Sequence, residues 1–227
     1  MFRVLAPLLL FACSCQAVAT QASRPPTSPL DKPAAVLSLF SSDEAVMTDL
    51  DIARILDAKW EIPAHIRIAV IPFGHRSTYG YRLPQPGMET SPDAIEVLRG
   101  IPGVFDVSYL PKFLQPLRHD VAHIREAAAR YQADWVLLYS SQATSSPKMR
   151  FFGPDEVHGV ALVECALLDT RTGLIAFTAR STETFEVIEN PGGESWALLI
   201  ERAEREAVDR ALVADANLIV KHVANAR

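Results

Sequence analysis

The chain has 227 residues, of which 49% are hydrophobic and 22% charged, and its formal net charge is −5. This composition is ordinary for one globular domain and supplies enough apolar residues for a sizeable core. The mild acidity and the lack of a long basic run exclude the clustered Lys and Arg of nucleic-acid-binding proteins, so no nucleic-acid partner is expected.

The N-terminus has the plan of a secretory signal peptide, because Arg3 is followed by an apolar run over residues 4–12. This run is about half of the ~20 apolar residues that a membrane-spanning helix needs. It ends in Leu10-Phe11-Ala12-Cys13, which resembles the lipobox of bacterial lipoproteins. The resemblance implies that residues 1–12 are a signal peptide and that Cys13 becomes the lipidated N-terminus.

Lipidation at Cys13 predicts a chain that is anchored to a membrane of the cell envelope and faces the periplasm. In the lipoprotein family the Cys thiol takes a diacylglycerol, and its amine often takes a further acyl chain such as palmitate. Two or three chains, at ~0.8 kcal/mol per buried methylene, hold a domain on a bilayer stably. Ser14 stands where an Asp would resemble an inner-membrane retention signal, which favours the outer membrane. The alternative is an ordinary signal peptide that is cut near Ala17 or Ala19.

Residues 13–40 form the predicted lipidated N-terminus and flexible tether, because Ser, Thr, Pro, Ala and Gln dominate a stretch that cannot bury a core. The globular domain is predicted over residues 41–227. Its first helix is expected to begin at Ser41, with Glu44 completing a capping box, and to end before Pro63. Apolar residues then recur at helical spacing. They are Val46, Leu50, Ala53 and Leu56.

The middle of the domain alternates strand and helix patterns. A β-branched run closed by Pro72 predicts a first strand, and Ser91-Pro92-Asp93 opens a short helix that Gly100 stops. The predicted strands and helices are strand 66–73, loop 74–90, helix 91–99, strand 104–110, helix 118–131 and strand 134–140.

The last part of the domain reads as a hairpin followed by a long helix. Residues 157–170 and 174–187 flank Arg171-Thr172-Gly173, a turn with Gly where positive φ is needed. The first arm is apolar on both faces, which predicts a central strand in a covered sheet, whereas the second alternates and is expected nearer the edge. An apolar stripe predicts a helix over residues 194–223.

This order predicts an α/β fold with a single mixed five-stranded sheet packed with helices. The early strands are joined by helices, so right-handed crossovers make them parallel. The last three strands are expected to form an antiparallel meander.

The sharpest candidate for chemistry is His119-Asp120-Val121-Ala122-His123, because two His at i and i+4 on a helix could bind zinc. Asp replaces the usual Glu and no third ligand is visible, so a solvated first helical turn is the favoured interpretation. Asp155-Glu156 is expected to be an exposed loop pair, and Cys165 a small buried hydrophobe in its strand. No catalytic residue, metal or other cofactor is assigned.

Two loops carry aromatic and Arg side chains of the kind used in protein recognition. If the first and third strands are parallel, residues 74–90 and 143–156 leave the same edge of the sheet. The partner-binding candidates are Tyr79, Tyr81, Arg82, Arg150, Phe151 and Phe152. For Phe151 and Phe152, folding back onto the sheet is the alternative.

The lipobox and four strand motifs together resemble the rhombotarget lipoproteins and the wider α/β periplasmic lipoproteins that include the curli-secretion lipoprotein. The motifs are Ile68-Ala69-Val70-Ile71-Pro72, Asp106-Val107-Ser108-Tyr109-Leu110-Pro111, Ala133-Asp134-Trp135-Val136-Leu137-Leu138-Tyr139 and Ala166-Leu167-Leu168-Asp169-Thr170. The resemblance covers most of residues 40–223. It implies co-occurrence with the rhombosortase sorting system, and it implies neither an activity nor catalytic residues.

The sequence therefore predicts a lipid-anchored, non-enzymatic binding or accessory module for another envelope protein. The partner is expected at the two aromatic loops or at the edge of the last strand. The alternatives are an envelope hydrolase that uses zinc at His119 and His123, and a structural subunit that self-assembles through the hairpin edge.

Overall fold

The computed structural model describes residue 39 and residues 48–77, 80–82, 91–148, 155–189 and 195–226. All of them belong to one compact unit, Ala34–Arg227. The other unit, Met1–Pro33, lies outside the described residues, and so do the predicted signal peptide and Cys13.

The described part of the chain confirms the predicted α/β class. Its elements are α1 (Asp49–Asp57), β1 (Ile66–Ser77), β2 (Gly80–Arg82), α2 (Pro92–Arg99), β3 (Val104–Tyr109), a short 3₁₀ helix (Lys112–Leu114), α3 (Val121–Arg130), β4 (Trp135–Lys148), β5 (Asp155–Asp169), β6 (Ile175–Glu189) and α4 (Trp196–Ala226).

All of the described strands join one mixed sheet. β1 pairs in parallel with β3 on one side and with β4 on the other, and β4, β5 and β6 form the predicted antiparallel meander. The five predicted strands are therefore confirmed. The short β2 is an addition: it pairs antiparallel with the end of β1, from His75 opposite Arg82 to Ser77 opposite Gly80, within the segment predicted to be a loop.

β1 and β4 extend well beyond their predicted carboxyl ends, and β5 and β6 each gain two residues at one end. β1 continues through Pro72, and the ladder to β4 shifts its register between Pro72 and Gly74 because proline has no N–H to donate. β4 runs on to Lys148, paired with β5 along its whole length. The predicted loop at residues 143–156 is thus mostly strand, and the prediction that Glu156 is exposed is wrong, since it is buried.

Helices pack on both faces of the sheet. On one face, α2 and α4 bring Leu98, Leu212 and Ile219 against Leu137 and Cys165. On the other face, α3 contributes a smaller cluster with the facing strand residues. Its members include Ile124, Ala127, Ala128, Val136, Leu138 and Leu168.

The far half of β5 departs from the prediction of a sheet covered on both faces. Val157, Ala161 and Val163 are buried beneath α4, whereas Val160 is 40% exposed and Glu164 is exposed on the opposite face. α3 packs near Leu138 and Leu168, so no described helix covers this face of the far half of β5, which we call the open face; Glu156, at its end, is nevertheless buried.

The predicted first helix is present as α1, but its apolar face is not buried. Leu50 is 64% exposed and Leu56 79% exposed, so this apolar face does not contribute to the core of the described residues. Its predicted start at Ser41 lies outside the described residues. Within the part of the chain that the structure describes, no helix has both the length and the apolarity needed to span a bilayer.

Candidate interaction surface

The outer edge of β6 is the most prominent feature of the sheet's surface. β6 lies last in the strand order, so no described strand pairs with its outer edge over the 15 residues Ile175–Glu189. Proteins commonly protect such edges with charged side chains, especially Lys, or with Pro, bulges or short strands. β6 contains no Lys, Pro or Gly, and its one register shift lies at its beginning, opposite Leu167 and Leu168. Among the described residues, the edge is thus long and regular and has no strand paired to it, although it carries Arg180 and three Glu.

α4 holds β6 firmly on its inner face. Phe177, Phe185 and Val187 pack towards α4, and the Arg210 guanidinium lies over the Phe185 ring at 4.6 Å. The Ser181 hydroxyl donates a 2.5 Å hydrogen bond to Asp215. The strand therefore presents a preorganised edge, and a partner need not order it on binding.

The open face of β6 is polar, as its alternating sequence predicts. Exposed threonines alternate along this face with Arg180 and Glu186, and Arg180 lies 3.6 Å from Glu164 of β5. The strand as a whole carries one positive and three negative charges, from Arg180, Glu183, Glu186 and Glu189. The edge is therefore suited to a basic or hydroxyl-rich strand.

A buried polar cluster lies beneath β6. Asp215 is 1% exposed, and its Oδ2 has no hydrogen-bond partner among the described residues. Burial raises the pKa of Asp215, which favours the neutral acid. Burial, with Asp215 nearby, also raises the pKa of the Cys165 thiol to about 12. Cys165 is therefore a protonated thiol at neutral pH, unsuited to nucleophilic attack.

The cavity beside this cluster is water-sized. It measures about 10 Å³ and lies between α2, α4 and the sheet, lined by Tyr109, Tyr139, Cys165 and Asp215 among mostly apolar neighbours. An organic substrate needs a pocket on the order of 300 Å³, whereas one water needs about this volume. The cavity therefore fits one water beside Asp215 and does not fit a substrate.

The structure does not place His119 and His123 as a pair on one helix face. α3 begins at Val121 and its N-cap is Asp120, so His119 precedes the helix and packs against Phe73. Asp120 accepts hydrogen bonds from the backbone N–H of His123, at 2.9 Å, and from its Nδ1, at 2.7 Å. Helix capping explains the acidic residue between the two histidines.

The predicted partner-binding residues lie at or beyond the limits of what is described. Tyr81 and Arg82 belong to β2, whose backbone alone is described. Four others and the lipidation site are outside the described residues. They are Tyr79, Arg150, Phe151, Phe152 and Cys13. The parallel pairing of β1 with β4 satisfies the condition under which both loops leave the same edge.

Two exposed apolar residues were missed by sequence reasoning. Phe113 is 87% exposed and Leu117 fully exposed, in the segment that follows the carboxyl end of β3. A signal for them was present, because Pro111 and Pro116 flank this segment and keep Phe113 and Leu117 out of any long helix or strand. They extend the potential contact area at the carboxyl ends of the parallel strands.

One described cluster brings together residues that could hold a metal: Glu156, His158 and Glu186. Glu156 and His158 share a face of β5, and Glu186 lies directly opposite His158 on β6. Their ligand atoms lie within 4.8 Å of one another. Sequence reasoning missed this cluster, because only the β5–β6 register brings Glu186 to it.

No family model and no curated protein matches this sequence. Among similar solved structures, the PelC dodecamer of Paraburkholderia phytofirmans is 17% identical, with 69% of this chain and 92% of that chain covered and a TM-score of 0.36. Lipoprotein GNA1162 of Neisseria meningitidis is 15% identical, with 70% and 99% covered and a TM-score of 0.33. The LpoB C-terminal domain of Salmonella enterica is 12% identical, with 58% and 90% covered and a TM-score of 0.32. At these TM-scores the likenesses establish neither a shared fold nor a shared function.

Proposed function

We propose that this chain is a lipid-anchored lipoprotein of the cell envelope that acts as a non-enzymatic binding module for another envelope protein. The observation that carries the binding role is the outer edge of β6, which is 15 residues long and lacks Lys, Pro and Gly. The lipobox ending at Cys13 supports the envelope location, with the domain facing the periplasm and the outer membrane as the favoured bilayer.

Strand addition is the mode of binding that this edge supports. An extended segment of the partner would take its main-chain hydrogen bonds from β6 and gain specificity from alternate side chains. The charges of β6, one Arg against three Glu, favour a segment that carries Lys or Arg. Residues Tyr79, Tyr81, Arg82, Arg150, Phe151 and Phe152 remain proposed as a second contact area for the same partner.

A lysine introduced into the edge strand tests this mode of binding. Thr182 is exposed on the open face of β6, so Thr182→Lys adds the charge that protects natural edges without disturbing the core. Thr144→Lys on β4 is the matched control, because Thr144 is exposed on the same open face but lies in an interior strand.

We expect a photo-crosslinker at position 184 of the full chain, in intact cells, to form an adduct with one envelope protein. Thr182→Lys should reduce that adduct at least about tenfold, the equivalent of ~1.4 kcal/mol, whereas Thr144→Lys should leave it unchanged. Equal adduct yields in both variants would contradict edge binding. An adduct with a second copy of this chain, together with a concentration-dependent mass in light scattering, would contradict the binding module and favour a self-assembling structural subunit.

A further inference from the structure

We infer that Glu156, His158 and Glu186 form a binding site for a divalent transition-metal ion of the Zn²⁺ class, which fastens β6 to β5 at the end remote from their connecting turn. This inference is independent of whether a partner binds the β6 edge. It rests on the ligand set, on its geometry and on the rigidity of the two strands that carry it.

The ligand set is one imidazole and two carboxylates. Zn²⁺ accepts this mixture of nitrogen and oxygen ligands, whereas Mg²⁺ and Ca²⁺ take oxygen ligands and gain little from an imidazole. Three protein ligands leave one position for water, and the side chains of His158 and Glu186 are 45% and 47% exposed, so water can reach it.

The distances already approach those of a bound ion. His158 Nε2 lies 3.7 Å from Glu186 Oε1. Two ligands of a tetrahedral Zn²⁺ ion are about 3.4 Å apart when each bond is ~2.1 Å long. All three ligand atoms lie within 4.8 Å of one another, so side-chain rotations suffice to close the site.

The scaffold fixes the ligands in place. β5 and β6 pair in continuous register from Asp155 opposite Glu189 to Leu167 opposite Phe177, and this register sets His158 directly across from Glu186. Glu156 is only 8% exposed, so its carboxylate is confined to a narrow region of this face. A site built on paired strands needs little ordering when the metal binds.

Lys148 is the competing cation. It lies opposite Glu156 on β4, and its Nζ is 3.3 Å from Glu156 Oε2. The alternative to a metal site is therefore a pair of cross-strand ion pairs, Lys148 with Glu156 and His158 with Glu186. The two interpretations predict different effects of removing Lys148. If the cluster is a metal site, loss of the competing cation increases the affinity for the metal. If it is a pair of ion pairs, the loss breaks the pair with Glu156 and changes no metal affinity.

Calorimetric titration of the purified full chain with Zn²⁺ tests the site. We expect one Zn²⁺ per chain, and affinity at least about tenfold weaker in Glu186→Gln and in His158→Gln. Glu164→Gln is the matched control, since Glu164 lies on the same face of β5, paired with Arg180, and its loss should leave the affinity unchanged. Lys148→Gln should bind Zn²⁺ more tightly.

Co²⁺ distinguishes this site from sites built on cysteine. We expect bound Co²⁺ to show visible ligand-field bands without the thiolate charge-transfer band that Cys13, Cys15 or Cys165 would produce. Zn²⁺ should also raise the Tm of the wild-type chain and not that of Glu186→Gln, because a ligand stabilises the folded state to which it binds. Failure of the wild-type chain to bind, equal affinity in Glu186→Gln and Glu164→Gln, or a thiolate band would each overturn the site.

Discussion

Asp209 on α4 shows how a single carboxyl group can make stability depend on pH. Burial, together with the nearby carboxylates of Glu206 and Asp93, raises the pKa of Asp209 from 3.8 to about 6, although Arg205 opposes the change. The folded state therefore prefers the protonated acid. Its contribution to stability is fully present below about pH 3.8 and is lost as the pH rises through about 6.

We expect Asp209→Asn to be more stable than the wild-type chain at pH 7, by about 1 to 2 kcal/mol after allowance for solvent screening at this partly exposed position. Near pH 3.5 the two chains should be equally stable. Urea unfolding across this pH range measures the difference in the free energy of unfolding. A difference that does not change with pH would contradict the raised pKa of Asp209.

At the scale of elements, the approach of α4 to β5 depends on Gly159. A Cβ at this position would overlap the backbone carbonyl of Ala203 on α4. We expect Gly159→Ala to lower the free energy of unfolding by at least about 2 kcal/mol, because two backbones must move apart. Thermal denaturation of the full chain measures this loss.

Gly100→Ala is the matched control for this substitution. Gly100 caps α2 with a right-handed helical conformation, at φ −68°, and an added Cβ there lies 3.1 Å from the Val97 carbonyl oxygen. Both Gly→Ala substitutions reduce the conformational entropy of the unfolded chain equally. The difference between the two variants in free energy of unfolding therefore reports on the folded state. Equal Tm values for the two variants would show that α4 and β5 can separate without cost.

The elements also show where sequence patterns succeed and where they mislead. Ser91 caps α2 and Gly173 turns the β5–β6 hairpin at φ +80°, as predicted, because caps and turns depend on neighbours along the chain. The end of β4 was mistaken for a loop, since Ser and Pro are typical of loops. Pairing with β5 supplies the backbone hydrogen bonds that outweigh this preference.

At the scale of the whole molecule, the proposed role requires an anchor at Cys13. We expect Cys13→Ala to abolish labelling of the chain with radioactive palmitate, because the thiol and the amine that would carry the acyl chains both belong to Cys13. The proposed anchoring rests on the two or three acyl chains that lipidation would add, since each buried methylene contributes ~0.8 kcal/mol of membrane affinity.

Cys15→Ala is the control, since Cys15 lies two residues beyond the lipobox. It should keep both the label and the membrane association. Intact mass of the exported wild-type chain should show a lipidated residue 13 at its N-terminus. An unmodified N-terminus near Ala17 or Ala19 would contradict the anchor while leaving the metal-site inference untouched.

The order and type of the main elements, the parallel start of the sheet and the antiparallel meander were all predictable from the sequence alone. They depend on hydrophobic periodicity, on caps and on the handedness of crossovers, which act between residues close in the chain. Only the tertiary structure decided which groups meet across the sheet. The Glu156, His158 and Glu186 cluster, the contact of Gly159 with α4 and the burial of Asp215 all depend on register and packing between distant segments, which no local pattern encodes.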